Sequence, residues 1–532
     1  MKVGLVVQAQ LGYDDNIRDN DIFAIVNGNT VVETVVEKAL SCNVHKVIVL
    51  TSEGNKECVD LDIIKKNNIR IYKKDDTSFI KSYRKIFLNE GLDIIIRVIG
   101  NNILLIPNLV MDGLKQHLEK KMDYTYNTGY PRGIMFSEII SKKVLFNEEI
   151  LQKENVKSVN IMQSLRNSSC EKFEMKADRE YYDHSFINLS FHKFNIDKFS
   201  KCVISNNWQD IIDEFKEDSI PNLNFIINNI CNISCIMCGM CGELSKYSKV
   251  KDKKGNMNFE NFKNIIDKFP KTKSILIQGG EILLNKDILS IIGYAKEKNI
   301  KINTITNGLL LNEKISRFLI ETLESITFSI DASEAETYEA IRLNGKFNVL
   351  IKNISEFMEI YYRNSNVSLK SIKINYVCME QNYRQMPKFV KLMKKLGIKD
   401  IVFSLYAQYK YVENKELVER YIIKDRNDFN NIWMEAKKIA NENDMKVSMM
   451  KHDNIFQKHN IYNECNGIKE SFWINWDGYV LPCCSYISPE LYNLGNVTYE
   501  DNMDVIINNW KQFRWNVFNS KIPKVCYDYC IY

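Results

Sequence analysis

Proline is scarce in this sequence, with 8 in 532 residues, and glycine stands at 21. So few chain breakers leave little room for flexible linkers or low-complexity tracts. An excess of either charge is also missing: 72 Lys and Arg face 67 Asp and Glu, a net charge of +5, with the basic residues scattered. That balance makes no demand for nucleic acid or a membrane surface as partner. Long apolar runs are absent as well. Stretches such as Val47 to Leu50 and Ile103 to Ile106 fall far short of a membrane span. Met1-Lys2 leads straight into the strand-like Val3-Gly4-Leu5-Val6-Val7, so the expectation is a cytoplasmic chain without a signal peptide. What remains is the composition of an ordinary globular protein, long enough for two to four domains.

Cysteine, by contrast, is plentiful, and its distribution is uneven. Cys42, Cys58, Cys170, Cys202 and Cys378 are scattered and read as small buried hydrophobes. Cys231, Cys235, Cys238 and Cys241 form one cluster, and Cys465, Cys483, Cys484, Cys526 and Cys530 a C-terminal set. In a reducing cytosol, clustered cysteines bind metal more often than they pair.

The first part alternates strand and helix: strands at Lys2 to Gln8, Lys46 to Thr51, Asp93 to Val98 and Asp123 to Asn127, and a helix over Val31 to Cys42. That spacing predicts a parallel α/β sheet. The pattern weakens from Leu151 to Pro221. Six further strands follow at Leu223 to Asn228, Ser274 to Gln278, Ile300 to Thr306, Ser325 to Ile330, Ser371 to Cys378 and Asp400 to Leu405. Helical patterns between them include Asn258 to Lys268, Lys314 to Leu323 and Met386 to Leu396. Six βα units predict a (β/α)6 partial barrel with its chemistry at the carboxyl ends of the strands. The expected division is 1–215, 221–450 and a small cysteine-rich hairpin domain over 455–532.

Cys231, Cys235 and Cys238 are spaced C-x3-C-x2-C directly after a predicted strand. Three thiolates from one loop can hold three irons of a cubane and leave the fourth open. A zinc knuckle completed by Cys241, or a chance run of buried cysteines, stays open on the triplet alone. The strand ends beyond it carry Gly279-Gly280-Glu281, Thr306-Asn307-Gly308 and Ser329-Ile330-Asp331, polar groups on the side a polar cofactor needs. With these motifs in this order, 221 to about 410 resembles the radical S-adenosylmethionine (radical SAM) superfamily. The resemblance implies that Cys231, Cys235 and Cys238 hold a 4Fe–4S cluster and that S-adenosylmethionine chelates the open iron. Its reductive cleavage then yields a 5′-deoxyadenosyl radical that takes hydrogen from substrate. It further implies that Gly279, Gly280 and Glu281 bind the methionine amino group and that Ser329, Asn375 and Asn382 contact the cofactor. A flavodoxin- or ferredoxin-type electron donor is implied as partner. The stretch from Tyr406 to Asp425 is expected to help cover the barrel mouth, since a radical must be kept from water.

Alternation around Asp477-Gly478 predicts a hairpin that brings Cys465 toward Cys483. Cys526 and Cys530 can complete a four-thiolate site, of zinc or of a cluster. After a radical SAM barrel, this segment resembles the shortened SPASM (twitch) domain, which implies an auxiliary 4Fe–4S cluster on Cys465, Cys483, Cys526 and Cys530. The terminal C-x3-C departs from the family's C-x2-C, and Cys484 is an alternative to Cys483. Cys241 and Cys378 are candidate hydrogen-atom donors for an epimerase, beside the plainer reading of each as packing.

The first domain resembles the cytidylyltransferases of surface-polysaccharide synthesis through Val6 to Gly12, Arg97 to Asn102 and Asp123 to Thr128. Two departures impair the implied chemistry. Gln10 and Asp14-Asp15-Asn16 replace the basic residues of the triphosphate loop, and Asn101 stands where the family has a Mg²⁺-binding aspartate. Arg18 and Lys46 are the candidates to restore the lost charge. The resulting expectation is an enzyme that oxidises or epimerises a sugar, nucleotide-sugar or sugar-derived metabolite in glycan synthesis. Peptide modification, a working cytidylyltransferase, and a metal-stabilised binding protein are the alternatives.

Overall fold

A computed structural model of the chain describes residues 1–9, 22–51, 61–73, 79–147, 165, 170–185, 187, 189–190, 196–203, 207–215, 222–247, 254–406, 412, 415–450, 471–483 and 488–524. Two compact units emerge, Met1–Ser219 and Ile220–Tyr532.

The first unit is built on a seven-stranded sheet. Its strands are β1 (Val3–Gln8), β2 (Lys46–Thr51), β3 (Arg70–Lys73), β4 (Ile94–Ile99), β5 (Tyr124–Thr128), β6 (Glu138–Ser141) and β7 (Lys172–Lys176). They lie in the order β3-β2-β1-β4-β6-β5-β7. The first four strands in the chain pair in parallel, whereas β6 runs antiparallel to both β4 and β5. The sheet is therefore mixed, where the sequence predicts a parallel one. Alternate side chains feed cores on both faces: Leu5 and Val7 join one cluster, Val6, Ile48 and Ile95 the other. Helix Val31–Leu40 is started by a capping box in which Thr30 and Glu33 satisfy each other's backbone N–H. Lys46, the candidate for a lost phosphate-binding charge, is the first residue of β2 and ion-pairs with Glu90. It starts its strand, away from the carboxyl end where a phosphate would sit, so it cannot replace that charge.

The second unit holds a nine-stranded sheet. Seven strands follow in sequence: β8 (Asn222–Ile226), β9 (Ser274–Gln278), β10 (Lys301–Thr306), β11 (Ser325–Ser329), β12 (Ser371–Cys378), β13 (Asp400–Leu405) and β14 (Lys446–Met450). All pair in parallel with their neighbours. Along these strands one face carries apolar residues into the helical layer. Phe225 meets Phe262, Phe328 meets Phe357, Tyr376 meets Phe389 and Phe403 meets Trp433. The alternate residues, among them Gln278, Thr327, Ser329 and Asn375, are half-buried on the opposite face.

The partial barrel has more strands than the six predicted. Besides β14, strand β15 (Ser471–Asn475) pairs in parallel with β8, from Asn222↔Ser471 to Ile226↔Asn475. It then turns back through β16 (Val480–Leu481). The turn between them forms around Asp477-Gly478, as the alternation predicts. Asn475 Oδ1 accepts from the N–H groups of Asp477 and Tyr479, and Gly478 adopts φ +84°. Helix Phe259–Lys268 ties this C-terminal region down: Lys268 Nζ donates to the carbonyls of Val497 (3.0 Å) and Glu500 (2.8 Å).

Candidate active site

The cysteine loop leaves the carboxyl end of β8 and is moulded onto the end of β9. Gly280 N–H donates to the carbonyl (3.0 Å) and side-chain oxygen (2.9 Å) of Asn228, and Glu281 N–H donates to the Ile230 carbonyl (2.8 Å). A Cβ on Gly279 would stand 2.6 Å from the Asn228 carbonyl oxygen, and one on Gly280 2.2 Å from that of Ile230. Both positions therefore require glycine because the cysteine loop itself passes there.

Glu281 is buried, 1% exposed, which rules out a solvated carboxylate. Its Oε1 accepts from Thr306 Oγ1 (2.7 Å) and Leu283 N–H (3.1 Å), and its Oε2 from Asn307 N–H (2.8 Å). Burial pushes its pKa up, and these donors work against that. The carboxylate thus ties the ends of β9 and β10 together beneath the loop.

Each thiol of the triplet receives at least one N–H. Asn307 Nδ2 donates to Cys231 Sγ (3.8 Å), Arg342 Nη1 to Cys235 Sγ (3.6 Å), and Cys241 N–H to Cys238 Sγ (3.3 Å). All three cysteines are half-buried and free of disulfides. Burial pushes the Cys235 thiol up to about 12, with the Arg342 cation opposing, and raises that of Cys231. Among the described residues no three His, Cys, Asp or Glu side chains are grouped to hold a single metal ion. A cubane asks for something else, one thiolate on each of three irons with N–H donors to the sulfurs. The donor set here fits that demand.

Arg342 carries no signal in the sequence, where it stands alone between Ile341 and Leu343. In the fold it lies in a two-residue strand, Arg342–Leu343, paired antiparallel with Ser234–Cys235, so that Arg342 is the partner of Cys235. Its Nη2 is 2.6 Å from Asp331 Oδ2, and both side chains are buried.

Other expected residues scatter. Ser329 and Asn375 are partners across β11 and β12, and Ser404 Oγ donates to Asn375 Oδ1 (3.1 Å), a polar row on the half-buried face. Asn382 does not join it. It is buried, its Nδ2 donates to the carbonyls of Asp331 and Val377, and its Oδ1 accepts from Met379 N–H. Both amide hydrogens are thus spent on backbone, in place of the cofactor contact expected. Cys378 is corrected as a hydrogen donor: it alternates with Ile374 and Tyr376 into the helical layer, where its Sγ meets Met386 Sδ at 3.7 Å. Cys241 stays beside the loop, its thiol donating to the Asn229 carbonyl (3.4 Å).

Of the segment expected over the barrel mouth, several described residues pack on the cysteine loop. Tyr406, Val412, Leu417, Val418 and Tyr421 share an apolar cluster with Ile236 and Leu244, and Tyr421 O–H donates to Glu243 Oε2 (2.9 Å). Of the C-terminal ligand candidates, Cys483 is half-buried just past β16. Cys465, Cys484, Cys526 and Cys530 lie outside the described residues.

Comparison with known families now decides the chemistry. Residues 225–393 match the Radical SAM superfamily, and residues 465–530 match an iron–sulfur cluster-binding domain, SPASM. Residues 225–393 are a radical SAM domain. Such a domain takes a 4Fe–4S cluster with S-adenosylmethionine, and the SPASM domain takes auxiliary iron–sulfur clusters. Two relatives are described as probable GTP 3′,8-cyclases, from Methanococcus maripaludis and Methanocaldococcus jannaschii. They are 26% identical over 218 and 226 residues, which is 40% of this chain and 68% of theirs. Among solved structures, Streptococcus suis SuiB bound to S-adenosylmethionine is similar with a TM-score of 0.45 at 14% identity, covering 71% of this chain and 85% of its own. A cytidylyltransferase from Leptospira borgpetersenii gives a TM-score of 0.34 at 20% identity, over 41% of this chain and 95% of its own. No described helix is long and apolar enough to cross a membrane.

Proposed function

We propose that this radical SAM/SPASM enzyme oxidises or epimerises a sugar, nucleotide-sugar or sugar-derived metabolite, and that its first unit is an impaired cytidylyltransferase-like domain that binds a nucleotide or nucleotide-sugar. The observation that carries the radical half of this reading is the N–H donor supplied to each of Cys231, Cys235 and Cys238. When bound there, the cluster and S-adenosylmethionine supply a radical able to take hydrogen from an unactivated C–H bond. The protein's own part is to hold and enclose. Glu281 and the two glycines fix the loop against β9, Ser329 and Asn375 offer polar contacts at the strand ends, and Tyr406, Leu417 and Tyr421 help keep water from the mouth.

The nucleotide half rests on the first unit. Its strand order reverses between β1 and β4, the place where open α/β sheets take ligands at their carboxyl ends. Asn101 follows β4 there, 1% exposed, with neither end of its side-chain amide hydrogen-bonded among the described residues. A neutral amide suits a base or sugar hydroxyl better than Mg²⁺, which supports binding without nucleotidyl transfer. A nucleotide substrate is also in keeping with relatives described as GTP 3′,8-cyclases.

The test is 5′-deoxyadenosine formation by the anaerobically reconstituted chain under a strong reductant, with a panel of cytidine nucleotide-sugars and GTP beside a Cys235→Ala control. Cleavage lost in the control and accelerated by one nucleotide-sugar is the expected result. Acceleration by GTP alone would move the substrate away from sugars. No cleavage at full iron content would sink the radical reading, and nucleotide turnover abolished by Asn101→Ala would make the first unit a transferase.

A further inference from the structure

We propose that Arg342 is a positioning residue which, held by Asp331, fixes the sulfur of Cys235 and raises the reduction potential of the cluster carried by the cysteine loop. This rests on the radical SAM reading of that loop and adds a charge to it.

The three thiols are served unequally. Cys231 receives a neutral amide N–H from Asn307 and Cys238 a neutral backbone N–H from Cys241, whereas the donor to Cys235 is a guanidinium. Its side chain is 7% exposed and that of Asp331 fully buried, so little water screens either charge. Removing a guanidinium from water is costly, and one carboxylate offsets only part of that cost. Asp331 takes up Nη2 and leaves Nη1 directed at Cys235, while Nε has no partner among the described residues.

Nothing in this arrangement is left to side-chain chance. Cys235 and Arg342 are opposed by a backbone pairing, extended by Ile236 N–H donating to the Ile341 carbonyl (2.9 Å). The turn after Arg342 closes with Gly345 N–H on the Arg342 carbonyl (2.7 Å), where a Cβ would clash at 2.7 Å. Asp331 is held from the other side, its Oδ1 accepting from Val377 N–H (2.8 Å) and its carbonyl from Asn382 Nδ2 (2.8 Å). The second buried acid near the loop, Glu281, is occupied by its own three donors.

A reduced cluster carries one more negative charge than an oxidised one. A cation beside a ligating sulfur therefore stabilises the reduced form and raises the potential, and an uncompensated anion lowers it. Arg342 and Asp331 consequently make opposite predictions, which a purely structural pair does not. Arg342→Gln should shift the midpoint of the S-adenosylmethionine-binding cluster to a more negative value, Arg342→Lys should recover part of the shift, and Asp331→Asn should move it positive.

The experiment is a redox titration of the reconstituted full chain followed by electron paramagnetic resonance, with iron content measured first and the auxiliary centre as internal reference. At a fixed ambient potential the reduced fraction of the loop cluster should fall several-fold in Arg342→Gln and rise in Asp331→Asn, with the auxiliary signal unmoved. Iron-loaded variants whose midpoints match the wild type, or shift in the same direction, overturn the proposal. Should Arg342→Gln fail to load, Arg342→Lys and Asp331→Asn carry the same test. A wild-type chain that holds no iron fails at the radical SAM reading itself, a different result from unmoved midpoints in loaded protein.

Discussion

Single residues in this chain often do something beyond what their type suggests. Glu281 reads as a ligand-binding acid, and its carboxylate also clasps two strand ends together. His117 is a sharper case. Its ring is buried between Thr125 Oγ1 (2.8 Å) and Ser141 Oγ (3.1 Å), and burial lowers its pKa from 6.5 to about 4. The folded state therefore keeps it neutral between those values, while the unfolded chain takes up a proton. Its contribution to the first unit is complete above pH 6.5 and is lost as the pH falls toward 4, a loss of about 3 kcal/mol at ~1.4 kcal/mol per pKa unit. Denaturant midpoints between pH 7 and 4.5 should fall more steeply for the wild type than for His117→Gln. Parallel slopes would remove His117 from the pH dependence.

At the scale of elements, the junction between the barrel helix Phe259–Lys268 and the C-terminal loops depends on one ammonium group. Lys268 sits in the last turn, where a cation suits the helix dipole, and donates to backbone carbonyls across the junction. Lys268→Met keeps the stem and removes those bonds. It should cost about 2 kcal/mol, seen as a lowered melting temperature of the second unit with the first unchanged. An unchanged melting temperature would reduce the contact to a surface accident. Much at this scale was legible in the sequence, because strands, helices and the C-x3-C-x2-C and Gly-Gly-Glu motifs are local patterns. The alternation that turns Cys378 away from the polar face was also there to be read, since Ile374 and Tyr376 precede it at spacing two. Long-range pairings were not legible. Nothing local marks Ser471–Asn475 as a parallel neighbour of β8, or Arg342 as the residue that finds Cys235.

For the molecule as a whole, the two units carry their own hydrophobic cores, and the cysteines of both iron–sulfur domains belong to the second. Metal binding is coupled to folding wherever the ligands come from loops. Calorimetry of the loaded chain should show two transitions, and stripping iron with a chelator should lower the one belonging to the second unit. A chelator that lowers both transitions equally, or neither, would contradict separate cores.

The pairing of β15 with β8 also has a consequence for how the protein is made. The strand that leads into the cysteine loop waits for a neighbour about 250 residues further along the chain, so this contact can form only once that later segment has been made. Until then the nascent chain offers an open strand edge beside its reactive thiols, the kind of edge on which chains aggregate. Ribosome-bound chains stalled before residue 471 should therefore be the form most in need of a chaperone, and iron insertion is best timed after release.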